Sequence, residues 1–290
     1  MNIRDIEYFV ALAEQGSFNR AAIHCNTTQP TISNSLQRME KELGAALFKR
    51  TTRSIALTHK GLEILGYAHS ILASVKIIKD IAKSVDYSSK TLNLGITTSL
   101  AYYFYDKICF SLSAITNQKI KVHEISKENL KVQLDSGVIN CILLPCDTEI
   151  NTYDKILIAE FPFLMGVSKD DEFAGSEIIS PHELKKRNIL LTQENNPYDT
   201  SLRKFLTSYE LSCNQDLILN SIEIVKMAVR SKNGIGIIPK YATKDDKSIE
   251  FIPFTGENVK RKIFLVFRKN DPCIEQYKDL SAGLKSILKS

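Results

Sequence analysis

Residues 58–85 contain no proline and only two glycines, Gly61 and Gly66. Within them Ile64, Ala68, Ile71, Val75, Ile78, Ala82 and Val85 follow one another at alternating steps of four and three. That spacing is the a/d stripe of a heptad repeat, sustained over about three heptads. About 28 residues rising 1.5 Å each make a rod of roughly 42 Å. Such a stripe either packs on the chain's own C-terminal body or pairs with a second copy of itself, and its narrowness favours pairing. In both cases the rod joins two modules, with Tyr87-Ser88-Ser89-Lys90 as a short hinge after it.

Charge separates the modules. Residues 1–90 carry 12 basic and 8 acidic side chains, and residues 91–290 carry 26 and 25. Six Lys/Arg against two Glu fall within residues 33–60. A basic patch beside a neutral body suggests a polyanion partner. At 43% hydrophobic and 24% charged, the chain has the make-up of a globular protein with a sizeable core. Six Cys in 290 residues are too sparse for a disulfide scaffold. No apolar run reaches the roughly 18 residues of a membrane span. Charges interrupt the apolar start Met1-Asn2-Ile3-Arg4-Asp5-Ile6, which is unlike a signal peptide. The expectation is a cytoplasmic protein with reduced thiols.

The first module reads as helical. Ile6, Phe9, Val10 and Ala13 give one amphipathic helix over residues 4–15, stopped by Gly16. Ser17 can cap a second, with Phe18, Ala21, Ala22 and Cys25 inside. After the polar turn Asn26-Thr27-Thr28, Thr28 can cap a third, and Pro30 suits its first turn. Ile32, Leu36, Met39 and Leu43 form its inner face, which leaves Ser33, Asn34, Gln37, Arg38 and Lys41 outside. Two short helices across a tight turn, the second with hydroxyls, amides and Arg outward, describe a helix-turn-helix. These groups reach base edges and phosphates. Residues 47–57 read as a β-hairpin wing whose Lys49, Arg50 and Arg53 can touch the DNA backbone. The same pattern would also suit the solvated faces of any small helical domain.

Specific motifs narrow that choice. Ser17-Phe18-Asn19-Arg20-Ala21-Ala22, Thr28-Gln29-Pro30-Thr31-Ile32-Ser33, Leu36-x-x-Met39-Glu40-x-x-Leu43-Gly44, Leu47-Phe48-x-Arg50 and Leu57-Thr58-x-x-Gly61 together resemble the N-terminal domain of LysR-type transcriptional regulators. The resemblance is nearly continuous over residues 3–61. It implies double-stranded DNA as partner, with contacts from Gln29, Pro30, Thr31, Ser33, Asn34 and Arg38 in the recognition helix and from Arg50 and Arg53 in the wing. Asn34 departs from the Arg that many members carry. The resemblance further implies a homodimer through the linker helix, pairing again into a homotetramer, with RNA polymerase as a possible further partner.

Residues 91–290 alternate strand and helix patterns. Strands are expected at 92–96, 120–125, 139–144, 161–167, 189–191, 217–219, 235–238, 251–254 and 262–267. Helices are expected up to about residue 115, over 127–137 and over 272–288. The last carries Ile274, Tyr277, Leu280, Leu284 and Leu288 inward. The pattern implies a largely parallel sheet with covering helices. Ligands of such sheets sit beyond the strands' carboxyl ends. Three of these ends are rich in hydroxyls and amides: Thr97-Thr98-Ser99, Asn195-Asn196-Pro197-Tyr198-Asp199-Thr200 and Asn220-Ser221. Each could be an ordinary helix cap or part of an anion-binding helix N-terminus.

Leu94-Gly95-Ile96, Leu134-Asp135-Ser136-Gly137 and Asn233-Gly234-Ile235-Gly236-Ile237-Ile238-Pro239 resemble the effector-binding domain of the same family. The implied fold class is α/β: an N-terminal winged helix-turn-helix (1–58), a linker helix and hinge (59–90), and a two-lobed periplasmic-binding-protein-like effector domain (91–290). Its lobes are implied at about 91–161 with 267–290 and about 162–266, with crossover strands near Phe161 and Phe267. A small-molecule effector is then expected at Thr98, Ser99, Pro145, Asn196, Tyr198, Thr200 and Ser221. His123-Glu124, residues 133–137 with Cys141, and Cys25-Asn26-x-x-Gln29-Pro30-Thr31 look most like the peroxide-sensing, OxyR-like branch. That branch uses a cysteine in the loop after the strand matching 189–191, where this chain has Pro197, and its nearest thiol is Cys213. A disulfide switch is therefore not carried over, and a thiol-based redox regulator remains the alternative. Cys109, Cys141, Cys146, Cys213 and Cys273 read as buried small hydrophobes, with Cys146 after Pro145 the one to watch.

An enzyme finds little support. A P-loop lysine motif is absent, Gly234-x-Gly236 lacks a third glycine, and the five His show no metal spacing. No cofactor or metal is expected. An exported solute-binding protein would account for residues 91–290 but not for residues 1–90.

Overall fold

The computed structural model describes residues 1–50, 55–82, 91–115, 119–126, 129–145, 152–192, 200–213, 219–244, 246–256 and 259–289. They pack as two units, residues 1–93 with 126–140, and residues 94–125 with 141–290. Among the described residues no helix is long and apolar enough to cross a membrane.

In the first unit, α1 (Ile3–Gln15), α2 (Phe18–His24) and α3 (Gln29–Leu43) precede the strands β1 (Phe48–Arg50) and β2 (Ile55–Leu57). The apolar spacing read from the sequence is what buries them. Ile6, Phe9, Leu12, Ala21, Ala22, Ile32, Leu36 and Met39 share one core with Leu47 and Phe48. The Phe9 and Phe48 rings meet edge-on at 5.6 Å. Gly16 and Gly44 close α1 and α3 at φ 60° and 62°, a left-handed conformation that costs glycine little. Asn26 takes the same region (φ 49°) in the turn between α2 and α3. β1 and β2 pair antiparallel, Phe48 opposite Leu57, as expected for a wing.

Three expectations need correction. Ser17 and Thr28 hold the N-cap positions of α2 and α3 without a side-chain cap bond. The Thr28 hydroxyl instead meets that of Thr31 at 2.8 Å. Leu43 lies on the exposed end of α3 rather than on its inner face.

The linker helix α4 spans His59–Ala82; the expected stripe position Val85 lies outside the described residues. The stripe divides. Ala68 is buried and Ile64 half-buried against the core of α1–α3, whereas Ile71 and Ile78 are 39% and 65% exposed. The start of the rod thus packs on its own helical domain; among the described positions further along, Val75 is half-buried and Ile71 and Ile78 stay exposed.

The second unit is built on one sheet. Its strands are β3 (Leu92–Thr97), β4 (Ile120–Ile125), β5 (Cys141–Pro145), β6 (Tyr153–Ser168), β7 (Ile189–Leu190), β8 (Ile235–Pro239), β9 (Ile249–Pro253) and β10 (Lys260–Arg268). They lie in the order β4-β3-β5-β10-β6-β8-β7, with β9 also on β6. The largely parallel sheet expected from the sequence is a mixed one. β3–β5 and β7–β8 are parallel, but β10 runs antiparallel to both β5 and β6, and β6 antiparallel to β8 and β9. β6 starts eight residues before the expected 161. Its first part pairs with β10 from Tyr153 to Pro162, and its last part with β8 and β9. Of the two crossover strands expected near Phe161 and Phe267, β6 changes partners after Pro162, whereas β10, among the described residues, pairs only with β5 and the first part of β6.

Helices α5 (Thr98–Ile115), α6 (Leu130–Asp135), α7 (Thr200–Ser208), α8 (Ile222–Arg230) and α9 (Ile274–Lys289) complete the chain. On α5 the buried positions Leu100, Ala101, Phe104, Ile108 and Leu112 form one face. On α9 Tyr277, Leu280, Leu284 and Leu288 turn inward as expected, but Ile274, in its first turn, is exposed. The strand expected at 217–219 falls largely outside the described residues.

Candidate nucleic-acid interface and effector cleft

α3 presents Gln29, Pro30, Thr31, Asn34, Gln37 and Arg38 to solvent, with Ser33 half-exposed. These are hydroxyl, amide and guanidinium groups on the side of the helix opposite Ile32, Leu36 and Met39. Lys49 is exposed on β1. The Arg50 side chain and all of Arg53 lie outside the described residues.

Two carboxylates brace this helix. Glu40 of α3 accepts the backbone N–H groups of Leu47 (2.7 Å) and Phe48 (3.2 Å) on one oxygen, Oε1. This ties the recognition helix to the start of the wing. Asp5 of α1 is buried. Its Oδ2 accepts the Asn2 N–H at 2.9 Å, completing a capping box, and its Oδ1 accepts Ser35 and Arg38 of α3. Burial pushes the Asp5 pKa up, but hydrogen bonds from Ser35, Asn2 and Arg38 outweigh it and hold the carboxyl below the ordinary carboxylate value. Sequence reading missed Asp5. Its signal was a charge in phase with Phe9 and Leu12 on the apolar face of α1.

The second unit contains a cavity of about 150 Å³. Thr98, Ser99, Tyr102 and Tyr103 line it from the first turns of α5; Asn220, Ser221, Ile222 and Glu223 from the start of α8; Thr192 from beyond β7; and Arg261 from β10. The carboxyl end of β3 and the segment after β7 therefore meet there, as the position rule for such sheets requires. Of the expected effector residues, Thr98, Ser99 and Ser221 come together. Ser221 also caps α8, its Oγ accepting the Ile224 N–H at 3.3 Å. Pro145 ends β5 opposite Ile263 and does not line the cavity. Asn196 and Tyr198 lie outside the described residues, and Thr200 begins α7 with its side chain outside them.

Arg261 brings a buried positive charge to the wall. Flanked by Lys260 and Lys262, it reads as a surface basic run. Its phase with the buried Ile263 and Leu265 was the overlooked signal. Opposite charge is present too, but it is shared. Glu223 accepts the Tyr103 hydroxyl (2.8 Å) and the Lys226 ammonium (2.9 Å) on one oxygen. Lys226 is buried and also lies 3.7 Å from Asp246, which pairs with Arg230. Burial, then the Glu223 carboxylate, raises the Tyr103 pKa far above the usual phenol value. Tyr103 also stacks edge-on with Tyr241, which packs in turn on Phe104 and Phe161.

The described cysteines only partly fit the buried reading. Cys141 and Cys273 are buried, Cys25 and Cys213 half-buried, and Cys109 is exposed on α5. Cys146 lies outside the described residues. Burial raises the pKa of Cys141 and Cys213, and pushes that of Cys273 up to about 11 with help from Asp271.

A winged helix-turn-helix, a partly uncovered linker helix and a ligand-sized cleft in a mixed α/β domain define a DNA-binding regulator with a sensing domain. Residues 3–62 match the bacterial regulatory helix-turn-helix protein, lysR family, and residues 86–284 match the LysR substrate binding domain. The chain belongs to the LysR family of DNA-binding transcriptional regulators. It is similar to the DNA-binding transcriptional dual regulator OxyR of Escherichia coli, 27% identical over 99% of this chain and 95% of that protein. A hydrogen peroxide-inducible genes activator of Dickeya chrysanthemi is 28% identical over 98% of this chain and 95% of its own length. The fold resembles a full-length OxyR variant of Pseudomonas aeruginosa (TM-score 0.73, 21% identity, 98% of each chain). It also resembles full-length CbnR complexed with target DNA (TM-score 0.64, 18% identity, 99% and 100% covered).

Proposed function

We propose that this regulator reads duplex DNA through α3 and the wing and is switched by a small polar or anionic molecule held in the α5–α8 cleft. The observation that carries the reading is the cleft itself. The first turn of α5 (Thr98, Ser99), the first turn of α8 (Ser221) and the buried Arg261 converge on one cavity, and helix N-termini and a guanidinium all favour acceptor groups. Base edges are read by Gln29, Thr31, Ser33 and Asn34, with Pro30 shaping the helix start. Arg38 adds a base-edge contact from further along α3, and Lys49, Arg50 and Arg53 engage phosphates.

The working divisions are residues 1–58, 59–90 and 91–290, with lobes at about 91–161 plus 267–290 and about 162–266. The chain pairs through α4 as a homodimer and pairs again as a homotetramer in the cytoplasm, where RNA polymerase is a further partner. A ligand that prefers one lobe arrangement draws the lobes together and changes how the dimers meet. This role needs no chemical step and no cofactor.

The test is a footprint with full-length protein on the DNA upstream of its own gene. Protection that weakens steeply between about 50 and 200 mM salt is expected, because each phosphate contact releases counterions. Absence of protection, or salt-independent protection, rejects the reading.

A thiol switch is the second reading, favoured by the peroxide-inducible relatives. Burial works against it at Cys141, Cys213 and Cys273, since a raised pKa keeps a thiol protonated and a poor nucleophile. A variant with Cys146 and Cys213 both changed to Ser separates the two. Unchanged induction in cells supports the cleft, and a blind variant supports the thiol.

A further inference from the structure

We propose that Asp5, a buried residue of α1, is a positioning residue for sequence recognition: its carboxylate holds the Arg38 guanidinium in one orientation on the recognition helix. The inference rests on the reading that α3 docks on DNA.

The Asp5 side chain is 2% exposed, whereas that of Arg38 is 60% exposed. A buried carboxylate is costly unless its oxygens are satisfied, and every bond named for Asp5 ties it to a defined place. Asn2 fixes one oxygen to the first turn of α1. Ser35, itself buried, fixes the other to the inner side of α3. Arg38 then reaches back from one turn further along α3 and gives Nη2 to that same oxygen. The guanidinium is a planar fork with five N–H donors. A bond at one terminal nitrogen anchors the fork at that point and narrows its range of orientations while most of it remains accessible. A long side chain already held this way loses less freedom when it meets DNA, and it meets it at one angle.

Charge gives the distinguishing prediction. The Asp5 carboxylate also repels the DNA phosphates. If it only stabilised the fold, replacing it by Asn would weaken binding to every duplex alike. If it orients Arg38, Asp5→Asn lowers discrimination while non-specific binding holds or tightens.

The experiment uses the full-length protein, a duplex selected by it from a random-sequence library, and a scrambled duplex of the same length. Arg38→Ala alone tests the docking reading. It should weaken binding to the selected duplex more than to the scrambled one and so lower their ratio; wild-type binding to both would overturn that reading. Asp5→Asn tests the inference. The ratio of selected to scrambled affinity should fall about 3- to 10-fold in the wild-type background and not at all in the Arg38→Ala background. Equal falls in both backgrounds, or an unchanged ratio in the first, would overturn it. Should Asp5→Asn fail to fold, Arg38→Lys carries the same decision. It keeps the charge but lacks the fork, so its ratio should fall like that of Asp5→Asn. A wild-type ratio for Arg38→Lys would show that orientation does not matter.

Discussion

Glu40 gives the sharpest test of how the recognition helix and the wing are held together. Its Oε1 accepts the N–H of Leu47 at 2.7 Å and of Phe48 at 3.2 Å, and both residues are buried. Replacing Glu40 by Ala removes the acceptor and strands two backbone donors away from water. A hydrogen bond to a charged group contributes about 1.5–3 kcal/mol, and an orphaned buried donor costs about 1–3 kcal/mol. Counting the short bond fully and the longer one weakly gives about 3 kcal/mol for local opening at the start of β1. At about 1.4 kcal/mol per decade, the Leu47 and Phe48 amides should exchange with deuterium roughly 100-fold faster. Glu40→Gln keeps a carbonyl oxygen at the same reach and should cost about 1 kcal/mol, roughly fivefold in exchange. Exchange in Glu40→Ala within about threefold of wild type would refute the anchor. Equal damage from Gln and Ala would show that charge, not the acceptor position, does the holding.

Gln29→Ala should lower the ratio of selected to random-duplex affinity about tenfold, whereas Lys49→Ala should weaken both alike, as gel shifts across a salt series will show. Changing Ile71 and Ile78 together to Asp should leave a monomer by light scattering at micromolar concentration, since each would place an unpaired charge in the proposed α4 seam. Tyr103→Phe loses one bond to the Glu223 carboxylate and should cost about 1–2 kcal/mol in denaturant unfolding of the full chain, with m unchanged. Because the Asp5 pKa is lowered on folding, its contribution is complete above its ordinary value of 3.8 and lost as pH falls below it. Asp5→Asn should therefore flatten that part of the acid-unfolding curve.

The helical module was legible because period and punctuation agree there: apolar residues at helical spacing, glycines at the stops, proline in a first turn. The departures lie where spacing alone does not decide between inside and outside. Leu43 and Ile274 are in phase with their helices but occupy the end turns, beyond the reach of the core. Strand direction was misread for a different reason. Alternating strand and helix patterns imply parallel crossovers, yet β6 and β10 have neighbours that come from far along the chain, so no local signal sets their direction. Residues 153–160 hid as a strand because Leu157 and Glu160 face out of it. At the candidate effector cleft, hydroxyls at strand ends were easy to find. Arg261, Lys226 and Glu223 were not, since each is a charge sitting at a place normally held by an apolar residue or beside one.

β10 lies between β5 and the first half of β6. This position carries a cost during synthesis. Residues 141–145 and 153–162 leave the ribosome about a hundred residues before their common partner at 260–268. Until that partner arrives, each presents an unpaired edge, and the apolar Ile142, Leu143, Ile156 and Ile158 stand beside it. Such edges are templates for wrong pairing. The second unit therefore closes late and from its tail, while the helical module is complete once α4, whose Ala68 lies in its core, has emerged. A chain stalled near residue 255 would already hold the helical module but would lack the strand that closes the sheet of the second unit.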